Sequence, residues 1–76
     1  MTPLPTITGR ECIRTLERAG FQVIRQKGSH VIMRRDSPNM RVTVPDHRKD
    51  LKPGTLRSII RASGLTVEEF VNLLNT

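Results

Sequence analysis

The sequence holds two histidines, His30 and His47, and imidazole is the side chain whose ordinary titration lies closest to neutral pH. His30 ends the run Arg25-Gln26-Lys27-Gly28-Ser29-His30, and Arg34 follows on the same segment. A proton carrier among cations suits a phosphodiester, because the cations hold the phosphate while the ring moves a proton. RNA carries its own nucleophile, the 2′-hydroxyl. A protein that cleaves it therefore needs only proton transfer and positive charge, with no obligatory metal or cofactor. DNA lacks that hydroxyl, and no stable DNA contact is expected. Gly28 suits a turn and a close approach of backbone to phosphate. Ser29 reads as a turn or hydrogen-bonding residue, since no adjacent base and carboxylate complete a nucleophilic triad. His47 follows Asp46 in a polar loop, where local hydrogen bonding would pin the loop; substrate contact is its secondary role. His30 also fits an ordinary position on an exposed strand, and spacing alone leaves both readings open. The sequence offers no HExxH, Gly-x-Ser-x-Gly or glycine-rich phosphate loop as a competing site.

Composition narrows the partners. Thirteen Lys and Arg against seven Asp and Glu give a formal charge of +6, which calls for a polyanion. Nucleic acid leads, although an acidic protein or an anionic membrane surface presents the same field. Ten of the cations are Arg, whose planar fork binds phosphate through paired hydrogen bonds. With two Phe and no Tyr or Trp, stacking of bases on an aromatic platform gives way to phosphate and backbone contacts. The lone Cys12 permits neither an internal disulfide nor a repeated zinc spacing, and fits a reducing compartment. No apolar run approaches the roughly 20 residues of a membrane span, and Met1 to Pro5 lacks the features of a leader. A soluble, cytoplasmic protein with no membrane partner is expected.

The elements that must position His30 are marked by local signals. Thr8 and Glu11 have capping-box spacing, with Ile7 and Cys12 as the flanking staple; Cys12, Ile13, Leu16 and Ala19 then form the inner stripe of a helix that Gly20 ends. Phe21 packs back on Leu16 in such a stop. From Phe21 alternation predicts a strand with Phe21, Val23 and Arg25 on one face and Gln22, Ile24 and Gln26 on the other. Lys27 and Gly28 connect it to a second strand, Ser29 to Arg35. Asp36 to Asn39 form a turn, and Met40 to Val44 a third strand that Pro45 stops. Pro53 opens a second helix carrying Leu56, Ile59, Ile60 and Ser63 inward, and Gly64 closes it. Thr66 and Glu69 repeat the capping box before a short third helix with Phe70, Val71, Leu73 and Leu74. At 76 residues the chain is expected to form one domain, residues 1–76, with one core. The predicted fold is α+β, α-β-β-β-α with a three-stranded antiparallel sheet and a short C-terminal helix. Helices should cover one face of the sheet and leave the other free for function.

Four stretches in order, Gly20-Phe21, Arg25-Gln26-Lys27-Gly28-Ser29-His30, Val44-Pro45-Asp46-His47 and Lys52-Pro53-Gly54-Thr55-Leu56, resemble the HicA (YcfA-like) toxins of HicAB toxin-antitoxin systems. The likeness spans about residues 4 to 70. It implies a double-stranded-RNA-binding-domain-like fold and a metal-independent endoribonuclease, an mRNA interferase that uses a single histidine to cleave RNA and arrests translation and growth under stress. It also implies a HicB-type antitoxin covering the active site. His30 matches the family's catalytic histidine. Around it Arg25, Lys27, Gly28, Ser29, Arg34 and His47 are the expected substrate-binding residues. The alternative on the same fold is a non-catalytic RNA-binding module, in which His30 touches phosphate or ribose without turnover; an adaptor for an acidic protein ranks below it.

Overall fold

A computed structural model describes residues 2–76. Met1, which begins both the Met1 to Pro5 segment and the expected 1–76 unit, lies outside them. The order is α1 (Gly9–Arg18), β1 (Gln22–Lys27), β2 (His30–Asp36), β3 (Asn39–Pro45), α2 (Pro53–Ser63) and α3 (Val67–Leu74). The strands form an antiparallel sheet in the order β1-β2-β3. This is the α+β arrangement expected from the sequence. No helix among the described residues is long and apolar enough to cross a membrane.

Local chemistry explains the helix ends. The Thr8 hydroxyl accepts from the Glu11 amide while the Glu11 carboxylate accepts from the Thr8 amide, and Thr66 and Glu69 repeat the pair on α3. Each box satisfies two donors that a helix start leaves without partners. At the end of α1 the Gly20 and Phe21 amides donate to the Glu17 and Leu16 carbonyls, with Gly20 at φ +95. Phe21 and Leu16 are both buried there, the apolar contact that accompanies this stop.

The helical layer covers one sheet face. Val31, Met33, Val42 and Val44 from the strands meet Cys12, Leu16, Phe21, Leu56, Ile59, Ile60 and Phe70 in one core. α3 adds Phe70 to that core rather than standing apart. Two arginines tie the elements together. The Arg35 guanidinium crosses the Phe21 ring at 5.1 Å and donates to the Ala19 carbonyl (3.2 Å) and the Ser63 carbonyl (3.5 Å), where helix dipoles favour a cation. Arg18 does the same for α3 through the Leu73 carbonyl at 3.0 Å.

Gly9 lets α1 start against the end of β3. A methyl group at Gly9 would collide with the Pro45 carbonyl oxygen and come within 3.0 Å of the Asp46 Cα, and backbone has little room to give. Gly9→Ala should lower stability by about 1–3 kcal/mol, read as a fall in the urea midpoint. Burial pushes the Cys12 thiol up to about 12. The unfolded thiol ionises nearer 8.5, so stability from this residue is intact below that pH and is lost as pH rises toward 12. Iodoacetamide should leave Cys12 unmodified in the native protein at pH 8 and label it in urea. Cys12→Ala should weaken the alkaline fall in stability.

Candidate functional site

β1 and β2 join through the two-residue turn Gly28-Ser29, which closes the pair Lys27 and His30. The connection was expected one residue earlier, at Lys27 and Gly28, with Ser29 already in the strand. Gly28 sits at φ +59 and Ser29 at negative φ, the pattern of a turn that needs glycine first. A side chain at Gly28 would meet nothing within 4 Å, so the requirement there is conformational and not steric. The Gln26 side-chain amide donates to the Gly28 carbonyl at 3.2 Å and braces the turn.

The register of the sheet decides which side chains share a face with His30. Residues paired directly across antiparallel strands project to the same side. One row is therefore Lys27, His30 and Pro45, the next Arg25, Ile32 and Thr43, and a third Gln22, Arg34 and Arg41. All of these lie on the face away from the helices, and Arg25, Lys27, His30, Arg34 and Arg41 are exposed. Simple alternation along β1 put Arg25 with Val23. The structure corrects this: the register shifts between Val23 and Arg25, leaving Ile24 without a partner. Val23 consequently stays opposite buried Met33, while Arg25 and Lys27 move to the face of His30. Gln26 takes the helix side, where it borders a cleft with Arg10, Ile13 and Val23.

Of the expected site residues, Arg25, Lys27 and His30 come together at one corner, with Gly28 and Ser29 forming its turn. Arg34 shares the face but lies four residues along β2, about 13 Å away. There it holds the Asp36 carboxylate through two bonds of 3.0 and 2.7 Å. Arg41 was missed. It stands directly across from Arg34, and two like charges in one pair oppose folding unless an anion meets them. Its outward position on β3 was readable from alternation, but its partner was not.

His47 reaches the same end of the sheet by another route. The Asp46 amide donates to the Ser29 carbonyl, at 2.6 Å, and the Asp46 carboxylate pairs with Arg10 at 3.0 Å. These bonds fix the chain leaving β3 beside the Gly28-Ser29 turn. His47 follows, exposed, on the rim of a cleft of about 310 Å³ that Pro45, Lys49, Lys52 and Thr55 also line. The arrangement offers a proton carrier, His30, in a cationic and solvent-open corner, with a second imidazole near its edge.

Comparison with known proteins adds the family. No curated protein matches the chain significantly. The model of the HicA toxin of bacterial toxin-antitoxin systems matches residues 9–65, which run from the start of α1 to just beyond α2 and include the whole sheet, so the chain belongs to the HicA toxin family.

Proposed function

We propose that this chain is an mRNA interferase, a metal-independent endoribonuclease that acts as one domain over residues 1–76 in the cytoplasm and arrests translation and growth. The observation that carries the reading is the shared row and its neighbour: Lys27 beside His30, and Arg25 one row further, on an uncovered face. His30 takes the proton of the 2′-hydroxyl as that oxygen attacks the adjacent phosphate. Arg25 and Lys27 bear the charge that grows on the phosphate oxygens. Gly28 and Ser29 hold the turn that sets the ring beside them, Arg34 meets substrate further along β2, and His47 meets it from the loop after β3. Membership in the family gives the toxin an antitoxin partner. A HicB-type antitoxin silences the proposed site by covering the His30 corner.

His30→Ala should lower RNA cleavage by about 100-fold or more while leaving RNA binding and the unfolding midpoint unchanged, because the residue is exposed and its ring makes no hydrogen bond among the described residues. Wild-type protein that binds RNA and never shortens it would replace this reading with a binding module. Arg25→Gln with Lys27→Gln should weaken RNA binding and reduce the dependence of log K on log salt by up to about 0.7 per lost phosphate contact on single strands. An unchanged slope, measured by a binding titration between 50 and 200 mM salt, would remove these two cations from the interface.

A further inference from the structure

The loop between β3 and α2 is held at both ends. Asp46 is fixed by Ser29 and Arg10 at the start. At the finish Asp50 bridges Thr8, the Leu51 amide donates to the Ile7 carbonyl at 2.8 Å, and Leu51 is buried. Between these anchors His47, Arg48 and Lys49 stand in solvent. Asp46 turns toward α1, as its pairing with Arg10 shows. His47 lines a cleft together with Pro45.

Pro45 links the two histidines. It is the cross-strand partner of His30 and also a wall of the 310 Å³ cleft that His47, Lys49, Asp50, Leu51, Lys52 and Thr55 complete. Cross-strand partners lie about 5 Å apart at Cα, and two further residues span at most about 7 Å. The two histidine backbones are therefore within about 12 Å, a gap that two imidazole rings and a phosphate between them can fill. The volume is at the lower end of sites that hold small ligands, and two lysines make it attractive to a phosphate-bearing group.

RNA transesterification needs two proton movements, and the proposed role of His30 supplies one. The 5′-oxygen leaves as a poorly stabilised alkoxide unless a donor protonates it. We infer that His47 is that donor, and that the cleft seats the nucleotide on the departing side, with Lys49 and Lys52 toward its phosphate. This inference rests on the RNA-cleaving reading. The 2′-oxygen–phosphorus bond forms as the phosphorus–5′-oxygen bond breaks. The 2′-hydroxyl proton passes to His30, and the proton of the His47 imidazolium passes to the 5′-oxygen. The products are a 2′,3′-cyclic phosphate and a free 5′-hydroxyl, and solvent exchange restores both rings. Around His47 the charged and titratable groups are Asp46, Arg48, Lys49, Asp50 and Lys52 of the loop, Arg10 of α1 through its pair with Asp46, and His30 of β2; α2 contributes the neutral Thr55 to the cleft.

The test compares wild type, His30→Ala, His47→Ala and His47→Gln on an RNA oligonucleotide and on uridine 3′-(4-nitrophenyl phosphate), whose phenolate departs without a proton. Both His47 variants should keep the wild-type unfolding midpoint. They should lose about 100-fold or more in kcat on RNA but less than tenfold on the nitrophenyl ester, whereas His30→Ala should lose activity on both. The second readout is the pH profile of kcat/KM on RNA, which should be bell-shaped in wild type and lose its alkaline fall in His47→Ala. RNA cleavage within threefold of wild type, equal losses on both substrates, or a preserved alkaline limb in His47→Ala would each overturn the assignment of His47. A wild type that leaves RNA intact overturns the nuclease reading itself, and an inert His30→Ala beside a fully active His47→Ala overturns only the role of His47.

Discussion

The register shift in β1 is the constraint on which the proposed site depends. With strict alternation Ile24 would pair with Ile32, and Arg25 would stand opposite Val31, on the side where Val31 is buried under the helices. A guanidinium forced toward that layer loses hydration without a fixed carboxylate in compensation. One unpaired residue at Ile24 removes the conflict. It sends Arg25 and Lys27 to the open face, where water solvates them and where His30 already points. The same bend leaves Val23 and Ile24 unusually exposed, each at 46%. Bulges commonly re-aim side chains beside functional sites, and here the re-aimed side chains are the cations.

The positive charge of the chain has two physical roles. Arg18 and Arg35 bind helix-end carbonyls, Arg10 holds Asp46, and Arg34 holds Asp36. Arg35 is the most structural of these, bridging the ends of α1 and α2 over the Phe21 ring with its stem inside the layer. Formal charge therefore overstates the field available to a polyanion. Among the described residues, the cations with no side-chain bond that matter most are Arg25, Lys27 and Arg41 on the sheet, and Lys49 and Lys52 at the loop. Both groups border the Pro45 end of β3 or the open face next to it.

Most of the scaffold was legible because its signals are local. Each capping box is complete within four residues, the stop at Gly20 is complete within six, and both formed as read. The inner stripes of α1 and α2 were also readable, since a period near 3.6 survives without knowledge of neighbours; on α3 Phe70 is buried and Leu74 packs against the core, but Val67 joins them in place of Val71 and Leu73. Register is different in kind. It depends on which residues two strands pair, and a single unpaired residue reverses every later side chain. The apolar doublet Val23-Ile24 was a visible break in alternation and marked the place. The turn was misplaced by one residue because Lys27-Gly28 and Gly28-Ser29 both contain the glycine; only closure of the Lys27 and His30 pair separates them. At the site, His30 and its cations were legible from sequence proximity, whereas Arg41 and the Asp46 tether to Ser29 come from the chain's return to the turn and have no local signature.

The open face is in tension with the stability of the domain that carries it. Arg34 faces Arg41 across the sheet, Lys27 and Arg25 occupy neighbouring rows, and Asp36 neutralises only one of the four. At the surface such repulsion is modest and screened by salt, but a core this small leaves little stability in reserve. Whatever anionic surface covers the face relieves the repulsion and stabilises the fold through its binding free energy. An acidic protein partner and an RNA strand would draw on the same relief, so occupancy by one excludes the gain from the other. Inhibition by a covering partner then needs no distortion of His30. Under the proposed reading, displacement of the polyanion from the cationic face would suffice.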